Sequence, residues 1–131
     1  MNHDRATGVA RPSKKEKRMR IVTIKAKALE VFVADIFASA GCSKDEGGRI
    51  GRYLVSANLS GHDSHGVVRV PRYAAHKKAG SVVADVTVDV LVDTPVIAVV
   101  DGKYGFGQTV TPQAVRIGID KCKANGLSAV T

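Results

Sequence analysis

Fourteen consecutive residues, Ser60 to Tyr73, gather two histidines, a carboxylate, two hydroxyls, two glycines, two arginines and a phenol. Nothing else in the chain is as dense in groups that move protons or hold anions. Histidine is the side chain best matched to proton transfer near neutral pH. In Ser64-His65-Gly66 the hydroxyl beside the imidazole can orient it or relay its proton, and the glycine lets backbone and ligand approach closely. Arg69 follows His65 by four residues, so a helix starting here brings both toward one end of a site. A guanidinium binds a carboxylate through two parallel hydrogen bonds. A proton donor beside such a clamp suits a 2-oxo or 2-hydroxy acid: Arg69 holds the acid group while His65 serves the neighbouring carbonyl or hydroxyl oxygen. Spacing alone leaves a structural alternative open. In it, His62 and His65 are hydrogen-bonded polar residues where a helix begins, and Ser64 is its N-cap.

Other candidates are weaker. His62, Asp63 and His65 are too few for zinc, which asks for three or four matched protein ligands, and His76 is a turn or more away. No metal is expected. Gly105-x-Gly107 resembles part of a dinucleotide fingerprint, but Val110 stands where the third glycine belongs, and a strand-to-helix turn explains the pair as well. Cys42 follows the end of a predicted helix, where the dipole raises a thiol pKa, so it is not expected to be a nucleophile.

The elements that must position the loop follow from periodicity. Leu29, Phe32, Val33, Ile36, Phe37 and Ala40 fall on one helical face from Lys25 onward, and Gly41 stops the helix as its C′ residue. Ser43 and Glu46 then form a capping-box pattern. The second helix reaches about Leu59 and buries Ile50, Tyr53 or Leu54, and Ala57. Its glycines, Gly47, Gly48 and Gly51, weaken its start and leave room for a close αα-hairpin. A third helical stretch runs from about Val67 to Ala79, its helix proper beginning near Val70 or Pro71. After Gly80 the period changes to two, with Val82, Val83, Val86, Val88, Val90 and Val92. A second apolar run, Val96 to Val100, turns at Asp101-Gly102. A helix from about Pro112 to Asn125 follows, capped by Asn125-Gly126, and a last strand begins at Leu127.

The order of elements predicts an α+β chain: a tail over 1–20, a helical module of about three helices over 21–85, and the opening β–α–β of a second domain over 86–131. A buried-looking strand at the extreme end leads us to expect an N-terminal fragment. The net charge of +8 sits mainly in residues 1–27, which hold nine Lys/Arg against two acids. The rest is nearly neutral, so nucleic-acid binding by the globular part is not expected. Residues 1–20 show no period and are expected to be disordered; Met19 is a second candidate start. No apolar run approaches the roughly 20 residues that span a membrane. Two cysteines eighty positions apart make neither a disulfide framework nor a zinc spacing. With no secretory signal, the cytoplasm is the expected compartment. Two other functions stay open on these residues: a small nucleic-acid-associated protein using the basic tail, and a helical interaction or metal-binding module.

The stretch Gly61-His62-Asp63-Ser64-His65-Gly66-Val67-Val68-Arg69-Val70-Pro71-x-Tyr73 resembles the signature of the malate/L-lactate dehydrogenase family of the second, non-Rossmann type. That family includes ureidoglycolate, sulfolactate and 2,3-diketogulonate dehydrogenases and piperideine-2-carboxylate reductases. Upstream AGCSKDE and LVSANLSGHDSHG, and downstream VVDGKYGFGQTV and GLSAV, are similar too, so the resemblance covers about residues 21–131. It implies an NAD(P)-dependent oxidoreductase of 2-hydroxy and 2-oxo acids, a homodimer, and an unusual non-Rossmann α/β cofactor domain, incomplete here. By motif match His65 is the proton donor and acceptor and Ser64 its relay partner. Arg69 binds the substrate carboxylate, with Tyr73 nearby. The family's acidic partner of the Ser–His pair, and nearly all of its NAD or NADP contacts, are expected beyond residue 131. The chain is therefore expected to be inactive alone.

Overall fold

A computed structural model describes residues 22–131. The expectations for the tail over 1–20 and for a start at Met19 lie outside them. The order is α1 (Ala26–Ser39), α2 (Lys44–Leu59), two 3-10 turns (Asp63–His65 and Val67–Arg69), α3 (Val70–Lys78), β1 (Asp89–Asp93), β2 (Ile97–Asp101), α4 (Gly107–Asn125) and β3 (Ala129–Val130). The fold is mixed α+β, with helices first and a small three-stranded sheet after them.

Helices α1 and α2 form the expected hairpin. Gly41 takes φ +93°, which ends α1 as a left-handed C′ residue. Ser43 caps α2, its hydroxyl accepting the Glu46 N–H at 3.1 Å. Two glycines set how closely the helices approach. A Cβ on Gly47 would lie 2.7 Å from the Ala34 carbonyl oxygen, and one on Gly51 would lie 2.6 Å from that of Glu30. Gly48 faces open space and plays no such part. Val33 and Phe37 of α1 are buried with Ile50 and Leu54 of α2. Phe32, assigned to the apolar face of α1, turns outward at 62% exposed, and of the alternatives Tyr53 and Leu54 it is Leu54 that is buried.

This core reaches across the sequence. Phe106, which precedes α4, packs edge-on against Phe37 with ring centroids 5.7 Å apart, and tilted against Tyr73 at 6.2 Å. Burying an aromatic side chain of this kind contributes about 1.5–3 kcal/mol. It also explains why α4 begins at Gly107 rather than near Pro112. Phe106 is anchored, and its carbonyl accepts the Thr109 and Val110 N–H groups at 2.8 and 3.0 Å, starting the helix five residues early. Pro112 then sits inside α4 and removes one N–H from its ladder.

Strands β1 and β2 pair antiparallel, with an irregularity between Val90 and Val92, and β2 pairs parallel with β3. The β2–α4–β3 segment is the expected β–α–β unit. Helix α4 meets β3 at Gly118, where a Cβ would lie 3.1 Å from a Val130 methyl. Gly126, at φ +84°, ends α4 as expected. The valine alternation misleads over residues 82–88, which are not a strand. Asp85 there takes φ +57°, and the neighbouring backbone bonds to side chains. Asp85 N–H reaches Glu46 Oε2 at 2.7 Å and Val88 N–H reaches Gln113 Oε1 at 3.1 Å.

Candidate functional site

Helix α2 delivers the reactive loop. Gly61 at φ +77° turns the chain out of the helix, and the His62 N–H returns to the Ala57 carbonyl at 2.8 Å. Two successive 3-10 turns follow, joined at Gly66, before α3 begins at Val70 with Pro71 in its first turn. The helical stretch predicted from Val67 is thus divided, with α3 proper starting where Pro71 requires.

Ser64 and His65 lie on the first turn, exposed, with Ser64 Oγ 3.0 Å from His65 Nδ1. That bond leaves Nε2 as the ring nitrogen available to a ligand. Arg69 lies on the second turn and donates its Nε–H to the Ser64 carbonyl at 2.6 Å. Both terminal nitrogens of its fork thus remain for an end-on carboxylate pair. Arg69 and Tyr73 line a cavity of about 900 Å³ between α3 and the first turns of α4, whereas Ser64 and His65 stand outside its lining. The loop therefore brings the hydroxyl, imidazole and guanidinium together through Ser64, and Arg69 connects that group to the cavity.

The cavity is electropositive. Arg72, His76 and Arg116 line it with Arg69, and among the described residues no Asp or Glu does. His76 is held at both ring nitrogens. Ser81 Oγ donates to the His76 carbonyl at 3.1 Å, so it accepts from Nδ1 at 3.0 Å, and Nε2 accepts the Arg72 Nε–H at 3.3 Å. Arg72, like Arg69, is thereby fixed through Nε with its terminal nitrogens spared. Gly105, Gly107 and Gln108 form another part of the wall. A Cβ on Gly105 would lie 2.1 Å from a Val86 methyl, so that glycine serves packing.

A second polar cluster ties the helical part to the sheet part. Glu46 is fully buried and accepts from Asp85 N–H at 2.7 Å and from Thr109 Oγ at 2.6 Å. Asp85 in turn accepts from the Ser43 N–H at 2.8 Å and from the Ser43 hydroxyl. The capping box is therefore half made: Ser43 caps Glu46, but Glu46 bonds elsewhere. Cys42 is buried beside this cluster. Burial pushes its thiol up to about 11, the negative charge of Glu46 adds to the rise, and Lys77 opposes it. Desolvation, rather than the helix dipole, is thus the main reason this thiol is a poor nucleophile. Among the described residues no group of three or more His, Cys, Asp or Glu is placed to hold a metal ion.

Sequence reasoning missed Asn58, the Arg72–His76 pair and Arg116. Arg72 and His76 pair one turn apart on α3, and Arg116 of α4 joins them only by lining the same cavity. Asn58 binds both sides of the Ser64–His65 segment, and its one trace in the sequence is the glycine at position 66, whose missing side chain leaves it room.

Known proteins share the sequence pattern and the fold of this chain. The sequence model of the family described as malate/L-lactate dehydrogenase matches residues 24–131. The chain is 30% identical over 105 residues to hydroxycarboxylate dehydrogenase B of Escherichia coli O157:H7, covering 80% of this chain and 29% of that protein. It is 29% identical over 99 residues to L-sulfolactate dehydrogenase of Methanocaldococcus jannaschii, covering 76% and 29%. The malate dehydrogenase structure from Pyrococcus horikoshii OT3 superposes with a TM-score of 0.79 at 28% identity, over 83% of this chain and 31% of that one. The chain therefore spans about three tenths of the length of the relatives it matches.

Proposed function

The chain belongs to the malate/L-lactate dehydrogenase family, and on that premise we propose that it supplies the substrate-acid side of an NAD(P)-dependent oxidoreductase of 2-hydroxy and 2-oxo acids. The observation that carries the reading is the position of Arg69, tied by Nε to Ser64 and lining the electropositive cavity with its terminal nitrogens spared. The Arg69 fork binds the carboxylate of the acid, and Tyr73 borders it. His65, with Nδ1 on the Ser64 hydroxyl, takes the proton of the C2 hydroxyl at Nε2 when the acid is oxidised. It returns the proton when the oxo acid is reduced, and Ser64 relays it onward.

Family membership implies a nicotinamide cofactor, NAD or NADP, as the hydride acceptor. Val86 and Val110 fill the space over Gly105, so that glycine offers no close approach to the cofactor's phosphates. Among the described residues no carboxylate is hydrogen-bonded to Ser64 or His65; Asp63 is engaged by Asn58 instead. On this reading the 131-residue chain binds acid but does not turn it over alone.

The proposed division keeps the helical module over 21–85, bearing the loop, and the start of the cofactor domain over 86–131. We further propose a homodimeric, cytoplasmic enzyme. Two free cysteines support the compartment. Among the described residues no helix is long and apolar enough to cross a membrane.

Titration of the 15N-labelled chain with L-lactate and L-malate tests the reading. Saturable shifts at Arg69, Tyr73 and Gln108 are expected. Shifts that never saturate, or that map away from the cavity, would remove it.

A further inference from the structure

Asn58 lies in the last turn of α2, and its side chain grips both flanks of the Ser64–His65 segment. Its Nδ2 donates to Asp63 Oδ1 at 2.5 Å, and its Oδ1 accepts the Val67 N–H at 2.8 Å. The amide can face only one way. A carboxylate accepts and a backbone N–H donates, so the flipped amide would oppose donor to donor and acceptor to acceptor. Gly66 completes the fit, since a Cβ there would lie 2.1 Å from Asn58 Oδ1.

The backbone alone does not fix the relation between the two 3-10 turns. The Gly66 N–H closes the first turn on Asp63, and the Arg69 N–H closes the second on the Gly66 carbonyl. Across the junction run two side-chain bonds, Asn58 to the Val67 N–H and Arg69 Nε to the Ser64 carbonyl. Asn58 also holds the first turn through Asp63. It thereby sets the angle at which the turn bearing Ser64 and His65 meets the turn bearing Arg69.

We propose that Asn58 is a positioning residue, which fixes the proton group and the carboxylate fork in one geometry without touching the acid. The role in catalysis rests on the function proposed above; the positioning itself does not. Loss of the clasp frees the junction, and Arg69 leaves the Ser64 carbonyl.

The test exchanges the partners in the 131-residue chain and reads the Arg69 Nε–H signal by 15N NMR without any ligand. In Asn58→Ala, exchange of that Nε–H with water should quicken about tenfold, the scale of one hydrogen bond to a charged group. Asn58→Asp keeps an acceptor for the Val67 N–H but sets two carboxylates against each other, so it should behave like Asn58→Ala. The double variant Asn58→Asp/Asp63→Asn restores a donor between the two positions and should bring exchange back to within about twofold of the parent. An unchanged Arg69 signal in Asn58→Ala would overturn the proposal. So would a double variant that folds, as its amide spectrum reports, yet leaves Arg69 in fast exchange. L-lactate titration of the parent chain separates the two levels. An Arg69 signal that follows the exchange in a chain that binds no lactate keeps the positioning and removes the acid-binding reading.

Discussion

Arg69 donates its Nε–H to the carbonyl of Ser64 at 2.6 Å, and Ser64 holds the His65 ring through its hydroxyl at 3.0 Å. One residue thus fixes both the proton group and the anion group, from its two ends. The link spends the Nε–H of Arg69, so the side-on pairing mode is closed and only the end-on pair of terminal nitrogens can meet a carboxylate. It also carries the guanidinium from an exposed loop to the cavity that Tyr73, Arg72 and Arg116 line.

The helical hairpin gives an internal control for close packing. Gly47→Ala and Gly51→Ala each drive a methyl into a backbone carbonyl at 2.7 and 2.6 Å. Overpacking of this kind costs about 1–3 kcal/mol, and the thermal midpoint should fall in both. Gly48→Ala adds its methyl in open space and should stabilise by up to about 1 kcal/mol through helix propensity. Equal effects at all three positions in circular-dichroism melts would contradict the packing account.

Glu46 is the hinge of the polar cluster between helices and sheet. Glu46→Ala strands two donors, the Asp85 N–H and the Thr109 hydroxyl. Leaving a buried donor unpaired costs about 1–3 kcal/mol, and of these two Thr109 is the buried residue. Hydrogen exchange should then quicken first in the opening turn of α4, around Thr109 and Val110, before it quickens in α1. Uniform loss of protection would assign Glu46 to global stability alone.

The two thiols should separate in reactivity. Cys122 is exposed and Cys42 is buried, so a disulfide reagent at pH 8 should label one thiol quickly and the second only as the chain opens. The sign of the pH dependence follows from the raised Cys42 pKa. The folded state keeps the proton to about pH 11, while the unfolded thiol releases it near its ordinary value of 9. Stability linked to this group is complete below the unfolded value and is lost as pH rises from there through the folded value. A Cys42→Ser variant, unable to ionise there, should show a flatter fall in denaturation midpoint over that range. An equally steep fall would place the alkaline effect elsewhere.

Much of the fold was legible because the signals are local. Glycines at positions 41 and 126 sit where a left-handed residue ends a helix, and Ser43 caps with its own hydroxyl. Two errors arose where distant partners decide. Residues 82–88 alternate like a strand, but their backbone partners include the side chains of Glu46 and Gln113. Pro112 looked like a helix start, but burial of Phe106 sets the start five residues earlier. At the site, the density of reactive types picked out Ser64, His65 and Arg69. The sequence could not tell that Arg69 would reach the Ser64 carbonyl, nor that Arg116, far along the chain, would line the same cavity. Asn58 was missed because its partners lie in a loop that has no regular period.

The central claim is that the Arg69 fork holds the acid while His65 serves its C2 oxygen. The most direct measurement is the dissociation constant of L-lactate, read by NMR titration, in the parent chain, Arg69→Gln, Arg69→Lys and His65→Gln. A carboxylate fork predicts that Arg69→Gln weakens binding by about 1.5–3 kcal/mol, or roughly 10- to 150-fold. Arg69→Lys should recover only part of that loss, because an ammonium lacks the paired donors. His65→Gln should bind within about threefold of the parent, since its role is in proton transfer rather than charge pairing. Arg69→Gln binding lactate as tightly as the parent chain would contradict the account.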